Sequence, residues 1–267
     1  MKDLFIRAAS GALYISILLG SLFISQLAFI IVIFTLGVIT CIEFSKLRDF
    51  SWILGLPLLF SVFTGIHYFF NEESFISLLV VVNAALMNIY MIYWLFRKEA
   101  ALSRLQGGLV FIATIVFGFG AISLIPFDHG VFRKEVMIGV LAMLWANDTF
   151  AYLVGKNFGK TKLMPSVSPN KTIEGLVGGA LGAIIVGIVT WYLCKTFGLT
   201  QWIILSLIVV FFGSIGDLVQ SRIKRIAGVK DSGMIMPGHG GMYDRLDSLI
   251  FAAPFVFLYL FLISYVS

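Results

Sequence analysis

The residue types able to do chemistry begin at Asp148 and are densest in two stretches. Residues 221–248 read SRIKRIAGVKDSGMIMPGHGGMYDRLDS, and residues 155–175 read GKNFGKTKLMPSVSPNKTIEG. In the second, glycines permit close backbone approach, Ser168 and Thr172 offer hydroxyls, and Lys171 with three more lysines brings charge to a phosphate. A helix beginning near Thr172 would add its N-terminal dipole to the same anion. In the first, Pro237, Gly238, His239, Gly240 and Gly241 cannot form regular helix and predict a turn that exposes backbone. Just upstream, a helix continuing through Asp217 would carry Asp217, Ser221 and Arg225 as an i, i+4 stripe with Lys224 adjoining. Asp244 and Asp247, three apart, would project from one helix face.

Carboxylates of this kind are hard oxygen ligands. They suit Mg²⁺, which is commonly held by one or two carboxylates together with substrate phosphates. No His/Cys cluster exists for zinc, and His239 between glycines reads as a phosphate donor or proton carrier. No Ser-His-Asp arrangement can be defended, and no GxxxxGK[ST] loop is present.

The elements that must position these groups are membrane helices. The 267 residues are 60% hydrophobic and 12% charged, with mean hydropathy +1.01. A soluble domain carries about 25% charged residues, so this chain cannot coat a water-facing surface. Disordered, collagen-like and disulfide-scaffold classes are excluded by the same composition. Cys41 and Cys194 both sit in apolar stretches and read as inert buried thiols. Nine apolar segments are long enough to span: 8–25, 27–45, 51–70, 75–96, 105–126, 135–154, 173–194, 200–220 and 246–265. The expected fold is all-α and polytopic, with residues 1–130 as N-terminal packing helices and 131–267 as the catalytic region.

With the N-terminus in the cytosol, sixteen Lys and Arg fall on the cytosolic side and Arg133, Lys134 and Lys195 on the other. That is a decisive positive-inside bias, and it puts the C-terminus outside. The net charge of +5 is therefore a property of loops facing one side of the bilayer, with no nucleic-acid partner implied. The sixth and eighth spans both run inward, so Asp148 and Asp217 lie toward their cytosolic ends. Intramembrane carboxylates mark function, and clustering at one face predicts a site open to the cytosol. Glu43 is the one acid within spans two to five, and a structural role at the interface is one reading of it. Gly175, Gly178, Gly179 and Gly182 allow tight helix packing, within the chain or between chains.

The residues around 148, 168–175 and 221–247 resemble phosphatidate cytidylyltransferases, also called CDP-diacylglycerol synthases. The similar blocks are Asp148-Thr149-Phe150-Ala151-Tyr152, Ser168-Pro169-Asn170-Lys171-Thr172-Ile173-Glu174-Gly175, and a signature containing Ser221, Lys224-Arg225, Lys230-Asp231, the glycine turn, Asp244-Arg245 and Asp247. One departure is Gln220, where many members carry Glu. The resemblance implies transfer of a cytidylyl group from CTP to phosphatidic acid within the bilayer, by direct attack of the lipid phosphate on the α-phosphate. It also implies Mg²⁺ with a monovalent cation such as K⁺, and a homodimer in a bacterial cytoplasmic membrane. On this reading Asp217, Asp244 and Asp247 hold the metal, with Asp148 a further candidate. Lys224, Arg225, Lys230, His239 and Arg245 bind the triphosphate or pyrophosphate. Ser168, Lys171, Thr172 and Ser221 contact substrate. The rival readings are a secondary transporter of an anionic substrate, a CTP-dependent lipid kinase and a non-catalytic scaffold. The transporter would favour inverted repeats and a midplane site, and neither is visible.

Overall fold

The computed structural model describes residues 2–48, 52–69, 75–97, 103–238 and 240–266. Inside hydrocarbon every backbone N–H and C=O must be satisfied within its own segment, so long apolar runs become helices. They are α1 (Lys2–Ile24), α2 (Gln26–Arg48), α3 (Trp52–Thr64), α4 (Phe75–Phe96), α5 (Arg104–Val110), α6 (Gly118–Leu124), α7 (Lys134–Phe158), α8 (Ile173–Cys194), α9 (Leu199–Ile226) and α10 (Tyr243–Val266). A π-helical segment, Phe111–Phe117, joins α5 to α6 into one span.

Among the described residues eight helices are long and apolar enough to cross a membrane. The third expected span, 51–70, is shorter: α3 holds Pro57 and passes into a π-helical turn at Gly65–Phe69. The chain is an all-α integral membrane protein, apart from two short hairpins. One pairs β1 (Phe127–Asp128) with β2 (Val131–Phe132), and the other pairs β3 (Lys162–Met164) with β4 (Ser168–Thr172).

The glycine stripe of α8 is used inside the chain. Gly175, Gly178, Gly179 and Gly182 pack on Ala151, Val154, Asn147 and Phe150 of α7 so closely that an added Cβ at each would collide. The stripe therefore lends no support to a dimer interface. Its opposite face, with Val177, Leu181 and Ile185, is exposed, as a lipid-facing surface requires. Cys194 is exposed as well, unlike buried Cys41, so the expectation of two buried thiols holds only for Cys41.

Helix α10 ties the two halves of the chain together. Gly216 of α9 lies against its Phe251, and Gly118 of α6 against its Ile250. Asn88 of α4 donates to the Phe251 carbonyl at 3.0 Å. At the opposite edge Arg222 of α9 donates to the carbonyls of Trp94, Leu95 and Arg97 at 2.6, 2.6 and 2.5 Å. Its guanidinium also stacks 4.4 Å from the Trp94 ring centroid. One side chain thus satisfies the open carbonyls at the end of α4.

Candidate active site

Helix α9 runs without a break to Ile226, so Asp217 and Ser221 share a face as expected. The Ser221 hydroxyl donates to Asp217 Oδ1 at 3.2 Å. The other oxygen, Oδ2, is ion-paired with Lys171 Nζ. Lys171 reaches it from β4. The stretch that reads as a loop is an antiparallel hairpin, with Lys162 opposite Thr172 and Met164 opposite Ser168. Its base is fastened by Glu174, whose carboxylate accepts from the N–H groups of Lys160 and Thr161 at 3.1 Å. Thr172 is the N-cap of α8 and accepts from the Gly175 N–H at 3.1 Å. The hairpin, α7, α8 and α9 enclose a cavity of about 570 Å³. Asp148, Lys156, Asn170, Lys171, Thr172 and Asp217 line it.

The glycine turn is held by two carboxylates. Asp244 Oδ1 pairs with Lys224 Nζ at 2.6 Å and accepts from Gln220 Nε2 at 3.1 Å. Its Oδ2 accepts from Ser232 N, Ser232 Oγ and Gly241 N at 2.8, 3.0 and 2.9 Å. Glu43, buried at the end of α2, accepts from Met242 N and Tyr243 N at 2.9 Å each and from Ser232 Oγ at 3.2 Å. Gly238 and Gly240 have φ of +75° and +86°, which only glycine adopts cheaply. At Gly240 a side chain would also press on Asp244.

Asp247, one turn into α10, does not join that bracket. Its Oδ1 accepts from the Ser248 N–H at 2.7 Å. The residue faces a second chamber of about 210 Å³ with Tyr14, Trp145, Asp148, Asp244 and Arg245. Asp148 and Ser248 border both chambers and form the wall between them.

This arrangement differs from the expected grouping in three places. Asp244 is turned into the loop with both oxygens occupied, so the set Asp217, Asp244 and Asp247 is not assembled as one cluster. Among the described residues no group of three His, Cys, Asp or Glu stands as a ready metal site. Two carboxylates with substrate phosphates is the usual Mg²⁺ mode, and Asp148 with Asp217 on one cavity fits it. Arg225 lies elsewhere. Eight residues along an α-helix advance about 12 Å and turn by about 80° beyond two full circles, which carries Arg225 off the Asp217 face. It donates to Val229 O at 3.3 Å and lines a separate cavity with Arg97, Ser166 and Arg222. Lys230 is exposed and borders none of these chambers, and Ser168 is half-buried at the start of β4. His239 lies outside the described residues.

Sequence reasoning left Glu43 open and passed over Arg222, Tyr14 and Ser248. For Glu43 and Arg222 a signal existed: a lone charge at the end of an apolar span needs a partner. Nothing in the sequence names that partner.

Residues 5–263 match the profile described as the Cytidylyltransferase family. The chain belongs to the cytidylyltransferase family. A relative from Bacillus subtilis (strain 168), named phosphatidate cytidylyltransferase, is 31% identical over 273 aligned residues, covering 99% of this chain and 100% of the relative. Relatives of the same name from Staphylococcus aureus (strain COL) and Staphylococcus haemolyticus (strain JCSC1435) are 52% and 50% identical over 114 residues. Each of these alignments covers 42% of this chain and 44% of the relative. Membership makes the chain an enzyme of nucleotidyl transfer and removes the transporter and scaffold readings.

Proposed function

We propose that this enzyme transfers the cytidylyl group of CTP to phosphatidic acid, giving CDP-diacylglycerol and pyrophosphate, at the cytosolic face of the membrane. The observation that carries the proposal is the shared wall of Asp148 and Ser248 between two chambers. One chamber presents lysines, amides and carboxylates, as a nucleotide triphosphate requires. The other brings Arg245 and Asp247 against α1. The name of the full-length relative supports the lipid substrate. The positive-inside distribution supports the cytosolic orientation.

In this reaction an oxygen of the lipid phosphate attacks the α-phosphorus of CTP. The bond from that phosphorus to the oxygen bridging to the β-phosphate breaks, and pyrophosphate leaves. No covalent enzyme intermediate is needed. The obstacle is repulsion between two anionic phosphates, so catalysis is positioning and electrostatic stabilisation. Lys171 and Lys156 supply positive charge in the larger chamber. Lys171 exchanges its pairing with Asp217 for substrate oxygens. Arg245 orients the lipid phosphate from the smaller chamber. Lys224 acts through Asp244 and keeps the glycine turn in place. Asp217 and Asp148 would hold Mg²⁺, which supplies charge neutralisation for the triphosphate when bound.

The test is purified protein in detergent micelles with phosphatidic acid, Mg²⁺ and CTP labelled either in cytosine or at the γ-phosphate. Cytosine label appearing on lipid, with stoichiometric pyrophosphate, is the expected result. Lipid labelled from the γ-phosphate alone would make the protein a CTP-dependent lipid kinase, and no labelled lipid from either would refute the proposal.

A further inference from the structure

The smaller polar chamber continues into an apolar one. A groove of about 320 Å³ runs between α1 and α2 beneath the loop 235–242, lined by Leu13, Ile17, Val32, Thr35, Ile39 and Met242, among others. Tyr14 and Met236 border this groove and the chamber holding Arg245 and Asp247 alike. Among the described residues no charged one lines the groove. Apart from Tyr14 at the boundary, its hydroxyl side chains are turned to backbone: Ser10 donates to Pro237 O at 3.1 Å and Thr35 to Ile31 O at 2.8 Å.

The groove has the direction and depth of a lipid tail. Along α1 it extends from Ser10 to Leu18, and along α2 from Ile39 to Val32. Eight residues of helix rise about 12 Å, and one leaflet of a ~30 Å hydrocarbon core is ~15 Å deep. Its polar end lies at the loop and its apolar end points toward the bilayer midplane. It is open sideways as well: Leu13 and Ile17 are 63% and 50% exposed, and α1 is the least buried of the eight long helices. The larger cavity, by contrast, is ringed by Lys156, Asn170, Lys171 and Asp217.

From this continuity we infer that the α1–α2 groove receives an acyl chain of the phosphatidate, with its phosphate at Arg245 and Tyr14 at the boundary. The inference rests on the reaction proposed above and adds a division of labour. The lipid enters sideways past α1, the nucleotide enters through the cavity behind Lys171, and the two phosphates meet at the Asp148–Ser248 wall. Leu13, Ile17, Thr35 and Ile39 then set acyl-chain preference without touching the reacting atoms.

Two measurements test it. Val32→Trp and Thr35→Trp each fill the groove toward its deep end. Each should lower the ratio of kcat/KM for dioleoyl over dihexanoyl phosphatidate at least tenfold, because a short chain does not reach that depth. An unchanged ratio would overturn the inference. The second measurement needs no variant. Wild-type protein in phosphatidylcholine vesicles is irradiated with phosphatidate carrying a diazirine at the chain end, and the modified peptides are mapped. Labels within 10–39 and 232–242 support the groove, and labels confined to α8 or the β3–β4 hairpin overturn it. A wild-type protein that made no cytidylylated lipid would sink the proposed reaction, whereas the labelling pattern would still decide the groove.

Discussion

The carboxylate of Glu43 accepts a hydrogen bond from the Tyr243 N–H at 2.9 Å, joining residues 200 positions apart. With the Met242 N–H on its other oxygen, Glu43 holds the start of α10 from the end of α2. Glu43→Gln replaces one acceptor oxygen by an amide NH₂ and so leaves at least one buried backbone N–H unpaired. That costs about 1–3 kcal/mol. The variant should melt earlier and lose at least roughly tenfold in CTP turnover, since a tenfold change needs only about 1.4 kcal/mol in the barrier. Thermal unfolding in detergent and the labelled-CTP assay check both. A variant with normal melting and normal turnover would show that this bracket does not organise the site.

Asp244 and Asp247 should fail in different ways. Asp244→Asn strips the charge that holds Lys224 and weakens acceptance from Ser232 and Gly241, so both melting temperature and turnover should fall. Asp247→Asn breaks no bracket. It should lower turnover at least ~10²-fold, or about 2.7 kcal/mol in the barrier, with the melting temperature nearly unchanged. Matching losses of stability in the two variants would show that Asp247 is also part of the scaffold.

The Lys171–Asp217 pair predicts coupling. Asp217→Asn should lower turnover at least ~10²-fold, about 2.7 kcal/mol, and Lys171→Met should raise the KM for CTP. Residues in one ion pair are not independent, so the double variant should lose less than the sum of the two by roughly 0.5–3 kcal/mol. Strict additivity would mean that the ion pair has no part in the reaction. If Mg²⁺ sits at Asp217, the single Asn variant should also need more Mg²⁺ for half-maximal rate.

Arg222 is expected to matter for stability alone. Arg222→Lys keeps the charge but not the planar fork that serves three carbonyls at once. A loss of about 1–3 kcal/mol is expected, in line with hydrogen bonds to a charged group. Urea denaturation of the reconstituted protein reads it, and an unchanged midpoint would refute the role. The KM values for both substrates should stay near those of the parent chain.

The sidedness is tested with single cysteines in a Cys41→Ala, Cys194→Ser background. Pro165→Cys on the hairpin and Ile235→Cys on the loop should both react with a membrane-impermeant maleimide only from the cytosolic side. Labelling on opposite faces would sink the two-chamber site.

Hydropathy and charge counting determined the class of fold, the approximate span limits and the bias in the basic loops, because each depends on composition over about 20 residues and on transfer energies that add locally. The i, i+4 relation of Asp217 and Ser221 was legible for the same reason: once α9 is a helix, its period places them. The glycine turn was legible too, since φ above zero has few alternatives to glycine. Partnership was not. Asp244 reads in sequence as a twin of Asp247, and both border the smaller chamber, yet the oxygens of Asp244 are taken by Lys224, Ser232 and Gly241 while Asp247 accepts from the N–H of its neighbour Ser248. Only the path of the loop between α9 and α10 separates them. Lys171 meets Asp217, and Glu43 meets Tyr243, because hairpin and helices are brought together by packing such as the glycine stripe of α8 on α7. Such contacts depend on side-chain volumes and approach distances that have no signature along the chain. The apolar groove beside α1 belongs to the same class. Its residues are ordinary lipid-facing residues in the sequence, and only their juxtaposition with Tyr14, Met236 and Arg245 turns them into a binding surface.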